Sequence, residues 1–266
     1  MEQKKWNRND RPPLRRAQEP SEAAENMLEG RNAVQEALAA GRPIDKLYIA
    51  AGETDRALAR LAAMAKEAGA AVVETDRRKL DQLSATGAHQ GVVAMVAAHA
   101  YATVDEILEN AKSRGEAPLI VLCDDLSDPH NLGAIIRTAE CAGAHGVVIP
   151  KRRSVGLTAV VGKASAGALE YLPVARVSNL VSTIRDLQKA GVWVFGTAAD
   201  GDTGLYTADL KGPAAIVIGN EGEGMSRLVS EACDFKVSIP MHGRISSLNA
   251  SNAAAILLYE AVRQRG

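Results

Sequence analysis

Aromatic residues are scarce in this chain: phenylalanine, tyrosine and tryptophan together make up 3% of its 266 residues. Ring stacking is therefore excluded as the main way of holding a ligand. Charge is nearly balanced, with 31 basic against 32 acidic side chains. Any affinity for a polyanion must then come from local basic patches and not from a global field. Cysteine occurs three times, as Cys123, Cys141 and Cys233, an odd number without metal-ligand spacing. Cys123 and Cys233 read as reduced core thiols, and no metal is expected. No apolar run reaches the roughly eighteen residues of a membrane span, and no apolar signal segment opens the chain. A cytoplasmic protein without membrane contact is the expectation. Two nucleotide motifs are missing as well. The apolar run 119–123 leads into Asp124-Asp125-Leu126-Ser127-Asp128-Pro129 instead of Gly-x-Gly-x-x-Gly, and no Gly-Lys-Ser/Thr occurs.

What is present is ordinary globular composition, 47% hydrophobic and 24% charged, in a length that permits two domains. Residues 1–21 carry Lys4, Lys5, Arg8, Arg11, Arg15 and Arg16 with almost nothing apolar. Such a segment cannot offset the entropy of ordering it, so it reads as a disordered basic arm or a solubilising tail. Over 22–100, helical stretches at 31–40, 57–68 and 77–83 alternate with strands at 46–50, 71–74 and 91–96. That alternation predicts a small parallel or mixed α/β domain. Residues 101–117, which hold a helical piece and end in Gly-Glu-Ala, are expected to be a linker with the domain boundary at its end. The second domain, 118–266, has strands at 119–123, 146–149, 171–177, 192–196, 215–218 and 235–239, and helices at 132–142, 157–168, 180–190, 225–231 and 250–264. Near-continuous apolar runs such as Ile120-Val121-Leu122 require a sheet covered on both faces, hence an open, mostly parallel, doubly wound sheet.

Three polar turns follow strands of this second domain: Asp128-Pro129-His130-Asn131 with Arg137, then Gly219-Asn220-Glu221-Gly222-Glu223-Gly224, then Ser246-Ser247-Leu248-Asn249-Ala250-Ser251. Loops at the C-terminal ends of strands are where open α/β sheets build ligand sites. Each residue also has a plainer reading. Asn131 can be a helix N-cap, Arg137 a solvated helix residue, Glu221 ordinary loop chemistry, and Ser247 and Ser251 caps of the last helix. His130 reads as structural or ligand-facing, not catalytic. Taken together and in this order, the three turns resemble motifs one, two and three of the SpoU (TrmH) family of RNA ribose 2′-O-methyltransferases. Glu29-Gly30-Arg31-Asn32-Ala33-Val34 and His89-Gln90-Gly91-Val92-Val93-Ala94 resemble the small, ribosomal-protein-like domain of that family's ribosomal branch.

The resemblance implies a C-terminal α/β trefoil-knot (SPOUT) methyltransferase domain preceded by a small α/β substrate-binding domain, and a homodimer with its site near the interface. It implies S-adenosylmethionine as methyl donor, held around Thr197, Ala198, Ile218, Gly219, Gly222, Ile239, Met241, Ser247 and Leu248. Gly219 and Gly222 would allow the backbone to approach that donor closely. Arg137 would stand nearest the reacting hydroxyl. A guanidinium stays protonated, so phosphate anchoring and support of the developing alkoxide suit it better than a general-base role. Asn131 and Asn249 would orient the arginine and the ribose, Glu221 would fix Arg137 or neighbouring backbone, and Ser247 would contact donor or substrate. Arg31, His130, Lys151, Arg152 and Arg244 are candidate RNA contacts. The substrate implied is a guanosine of 23S ribosomal RNA. The alternatives are transfer RNA, a 23S adenosine as in thiopeptide-resistance enzymes, or a non-catalytic ribosome-assembly role.

Overall fold

The computed structural model describes residues 26–52, 55–84 and 86–266. The expected basic arm at 1–21 lies outside the described residues.

The first sheet contains β1 (Met27–Glu29), β2 (Ile44–Ala50), β3 (Ala71–Thr75) and β4 (Val92–Val96), in the order β1-β4-β2-β3. Its β2–β3 pairing is parallel and the pairings of β4 are antiparallel, so the sheet is mixed. Three helices cover it: α1 (Arg31–Ala39), α2 (Arg56–Glu67) and α3 (Arg77–Leu83). Asp55 and Asp76 cap α2 and α3 through their carboxylates, which accept from Ala57 and Lys79 N–H. Leu58, Leu61 and Ala65 of α2 pack with Val34 onto Leu47 and Val92, while Leu80 of α3 covers the other face. The three-residue strand β1 is too short to show a periodicity.

The segment 101–117, expected to be a linker, is packed structure. Thr103 and Glu106 form a reciprocal capping box at the start of α4 (Val104–Arg114), and Gly115 ends it in the left-handed conformation. Ile107 and Ala111 of α4 are fully buried, Ile107 within one core of the second sheet.

That second sheet has seven strands in the order β7-β6-β5-β10-β8-β11-β9, and every pairing is parallel. The strands are β5 (Leu119–Cys123), β6 (Gly146–Pro150), β7 (Val174–Val177), β8 (Trp193–Thr197), β9 (Thr203–Gly204), β10 (Ala214–Ile218) and β11 (Phe235–Ser238). Strand β7 starts later than 171, because 168–170 wind into a 3-10 turn. Likewise the helix expected over 157–168 is confined to α6 (Ala159–Ala164). The remaining helices are α5 (Pro129–Cys141), α7 (Leu180–Lys189), α8 (Arg227–Ala232) and α9 (Ala250–Arg265).

Alternation along β5 explains the two cores. Leu119, Val121 and Cys123 join Leu132, Ile135, Leu257 and Leu258 on the α5/α9 face, whereas Ile120 and Leu122 join Ile184, Leu187 and Val229 on the α7/α8 face. Burying side chains of this size stabilises the fold by roughly 1.5–3 kcal/mol each. Burial also pushes the Cys123 thiol up to about 12, so it stays an unreactive thiol. Among the described residues all three cysteines are free, with Cys141 exposed. No helix among the described residues is long and apolar enough to cross a membrane.

The strand order places the site. The chain builds outward from β5 to β6 and β7, then reverses, and β10 inserts between β5 and β8. After β11 the 239–249 segment returns over the C-terminal ends of β8 and β10, and α9 docks against α5 and β10. The reversal beside β5 is the topological switch point where ligands bind in open α/β sheets.

Candidate active site

Asp128, not Asn131, caps α5: its carboxylate accepts from His130 N–H at 2.9 Å, with Pro129 in the first turn. Asn131 is thereby freed to face inward, and it is 8% exposed. The last helix is capped by Asn249, whose Oδ1 accepts from Ser251 N–H at 3.0 Å and Asn252 N–H at 3.4 Å. Ser251 Oγ donates to the same oxygen at 2.6 Å, supporting the cap, whereas Ser247 is exposed and takes no part in it.

This cap fixes the direction of a chain of hydrogen bonds. Backbone N–H groups can only donate, so they hold Asn249 Oδ1 in place and turn its Nδ2 outward. Asn249 Nδ2 donates to Asn131 Oδ1 at 2.9 Å and to Glu221 Oε1 at 3.3 Å. Asn131 Nδ2 in turn donates to Glu221 Oε1. Asparagines from the first and third turns therefore converge on one carboxylate oxygen of the second.

The acidic loop is tied down from below. Asn220 and Gly224 exchange both backbone hydrogen bonds, at 3.0 and 2.9 Å. Asn220 Oδ1 accepts from Gly222 N–H at 2.8 Å, and its Nδ2 donates to the Asp125 carbonyl at 3.1 Å. Asp124 Oδ2 accepts from Ser226 N–H at 2.7 Å. The adjacent aspartates, together with Asn220, thus lock the β5 turn to the β10 turn. For Asp124 the sequence signal is an acid directly after an apolar strand, whereas Asp125 takes part through its backbone carbonyl, which its side chain does not announce.

Beside this network lies a cavity of about 410 Å³. Thr197, Ala198, Ile218, Gly219, Gly222, Ile239, Met241, Ser247 and Leu248 all line it. So do Asp200, Glu221, Glu223, Met225 and Ser246, of which Asp200 lies outside the three polar turns that the sequence singles out. Thr197 Oγ1 donates to the Val217 carbonyl at 2.9 Å, bracing the strand ends that floor it. Gly219 is also required by the fold of the loop itself. A Cβ there would stand 2.4 Å from both Gly224 C and Met225 N, so its absence lets the loop close on itself.

Arg137 stands apart from this assembly. It is exposed on α5 and has no hydrogen bond or ion pair among the described residues, and Glu221 holds Asn131 and Asn249 in its place. Of the basic residues, His130, Arg152 and Arg244 are exposed and Lys151 is half-buried after β6. Arg31 is engaged within its own domain, pairing with Asp55 at 2.5 Å and donating from Nε to the Gln90 carbonyl at 3.1 Å. These contacts join two stretches singled out in the sequence, 29–34 and 89–94. No group of three or more His, Cys, Asp or Glu side chains fit to hold a metal occurs among the described residues.

The model of the SpoU rRNA Methylase family matches residues 118–259. The chain belongs to the SpoU family. Residues 27–102 of this SpoU protein match a second model, RNA 2′-O ribose methyltransferase substrate binding. YacO of Bacillus subtilis, assigned to the TrmH family of tRNA/rRNA methyltransferases, is 48% identical over 236 residues, covering 89% of this chain and 94% of YacO. Among solved structures, the SpoU methyltransferase AviRb of Streptomyces viridochromogenes in complex with AdoMet is 31% identical, with a TM-score of 0.57 and 90% of each chain covered. An AdoMet-bound rRNA methyltransferase of Sinorhizobium meliloti is 29% identical, with a TM-score of 0.55 and coverage of 89% and 86%. The protein is accordingly an S-adenosylmethionine-dependent RNA methyltransferase with a SPOUT catalytic domain behind a small substrate-binding domain. The cavity suits that donor: Ile218, Ile239 and Leu248 offer apolar walls, and the carboxylates of Asp200 and Glu223 offer anions to a cationic ligand.

Proposed function

We propose that this SpoU protein methylates the 2′-oxygen of a guanosine ribose in 23S ribosomal RNA, acting as a cytoplasmic homodimer. The observation that carries the reading is Glu221, which lines the cavity and accepts hydrogen bonds from Asn131 and Asn249. Through it, the three motif turns form one preorganised unit beside the donor site. S-adenosylmethionine supplies an electrophilic methyl group on a sulfonium. Thr197, Ala198, Ile218, Gly219, Gly222, Ile239, Met241, Ser247 and Leu248 hold it, and Asn131, Glu221 and Asn249 keep the turns around it fixed. A ribose hydroxyl is a weak nucleophile until its proton is withdrawn, so alignment and support of the developing oxyanion carry the reaction. The exposed guanidinium of Arg137 serves that charge, while Lys151, Arg152, Arg244 and His130 meet RNA phosphates. A ribosomal substrate is supported by the first domain, since the likeness to the S. meliloti rRNA methyltransferase extends over 89% of this chain.

Methyl transfer from labelled S-adenosylmethionine to unmodified 23S RNA, with the product mapped, tests this. A 2′-O-methylguanosine is expected; label on transfer RNA alone would move the substrate, and none on either would leave an assembly role.

The dimer has its own support. On α9, Ile256 and Tyr259 are 37% and 52% exposed although Ala254, Leu257, Leu258 and Ala261 bury the inner face. Apolar surface without an intrachain use marks an interface. Ile256→Asp combined with Tyr259→Asp is expected to yield a folded monomer of about half the wild-type mass by light scattering, with methyl transfer largely lost.

A further inference from the structure

The substrate-binding domain meets the catalytic domain at a buried ionic cluster that the methyl-transfer site does not use. Asp45, at the start of β2, is 3% exposed, and the Arg176 side chain on β7 is 7% exposed. Arg176 Nη1 pairs with Asp45 Oδ1 at 2.8 Å, and Nη2 donates to the Asp45 carbonyl at 2.8 Å. The same guanidinium reaches the Ile44 carbonyl at 3.5 Å and the Lys151 carbonyl at 3.4 Å. One planar cation thus clamps two backbone carbonyls and a carboxylate of the first domain to the basic loop after β6. Tyr101, in the connection between the domains, completes the cluster. Its ring lies 5.3 Å below the guanidinium, and its hydroxyl donates to Asp45 Oδ1 at 2.6 Å while accepting from Leu157 N–H at 2.9 Å.

Stability alone does not explain this cluster. Asp45 Oδ2 is buried with no hydrogen-bond partner among the described residues, and Gly156 is pressed so close that an added Cβ would stand 2.0 Å from it. Desolvation holds the Asp45 carboxyl above the usual carboxylate range even against the opposing charge of Arg176. A buried ion pair with an orphan oxygen is a poor stabiliser compared with apolar packing of similar volume. What the fork geometry of arginine adds is direction, because several acceptors are fixed at once in a single orientation.

We propose that Asp45, Arg176 and Tyr101 are positioning residues for methyl transfer, setting the angle of the substrate-binding domain so that RNA held there meets the catalytic turns in register. This rests on the reading of the protein as an RNA methyltransferase that grips its substrate with both domains. Two binding modules held at a fixed distance and angle raise each other's effective concentration, and that gain disappears when the orientation is free.

The test uses the full chain with Arg176→Met and Tyr101→Phe, the second keeping the ring and removing only the hydroxyl. Three quantities are read: the KM for a 23S RNA fragment, kcat, and the Kd of S-adenosylmethionine by calorimetry. The expected result is an RNA KM raised about tenfold in Arg176→Met and less in Tyr101→Phe, with kcat and donor Kd within about twofold of wild type. An RNA KM unchanged in both folded variants overturns the proposal. An equal loss of donor affinity also overturns it, since the cluster would then serve the fold as a whole. Spin labels on Cys141 and on Glu67→Cys give a readout independent of the reaction. A narrow interdomain distance distribution that broadens in Arg176→Met supports the cluster's role even if wild type fails to methylate 23S RNA, and one that stays narrow sinks it.

Discussion

Arg137→Ala is expected to lower methyl transfer about 10²–10³-fold, the effect of removing one preorganised donor from a developing oxyanion. The melting midpoint should hardly move. Arg137 is exposed on α5 and has no partner among the described residues, so its loss should change stability by no more than about 0.5 kcal/mol. Binding of S-adenosylmethionine should be unchanged as well, because Arg137 is not among the residues lining the cavity. Single-turnover kinetics on 23S RNA, with calorimetry of donor binding and a thermal melt on the same sample, separate these three quantities. Arg137→Lys should restore little, since a point-like ammonium lacks the planar fork. Full activity in Arg137→Ala would remove this residue from the chemistry and leave the Asn131–Glu221–Asn249 unit to account for catalysis.

The second large effect is expected at Gly219, through packing. A methyl group at Gly219 would meet Gly224 C and Met225 N at 2.4 Å and Gly224 O at 2.7 Å, all backbone atoms that no rotamer change can move aside. The Asn220–Gly224 ring, closed by bonds of 3.0 and 2.9 Å, would have to open. Overpacking of this kind costs about 1–3 kcal/mol. If the cost falls on the loop alone, the donor-competent state becomes rare and the apparent Kd for S-adenosylmethionine rises about tenfold or more. Gly222→Ala is the control within the same loop. Its added Cβ meets only Asn220 Oδ1, at 3.4 Å, so the ring should stay closed and stability should stay near wild type, whatever the added methyl does to the donor in the cavity. Equal behaviour of the two variants would mean that the cavity wall does not depend on closure of this ring.

These two residues also show how far the sequence carries. The Gly219-Asn220-Glu221-Gly222 turn points to Gly219 as a close approach to the donor, whereas its contact with residues five and six positions later is revealed only by the folded loop. Arg137 lies beside the apolar stripe of its helix and not opposite it, so local periodicity speaks against a merely solvated side chain, yet the structure leaves it exposed. Its lack of any tie to Glu221 is a matter of where two turns end up in space.

The sequence by itself determined the alternation of strands and helices, the two covered faces of the second sheet, and the three polar turns. Those features follow from local period, caps and turn residues, which act over a few positions. It also determined, through the resemblance of the turns, the family and the methyl donor. The tertiary structure alone decided that β10 lies between β5 and β8, and so which turns become neighbours. Asn249 and Asn131 are separated by 118 residues, and no local preference records that their side chains meet at 2.9 Å. The same holds for Asn131 facing inward once Asp128 had taken the cap, and for the packing of 101–117 onto the second sheet. Strand order and side-chain pairing are set by which faces can be buried together, a condition on the whole chain that no short window of it contains.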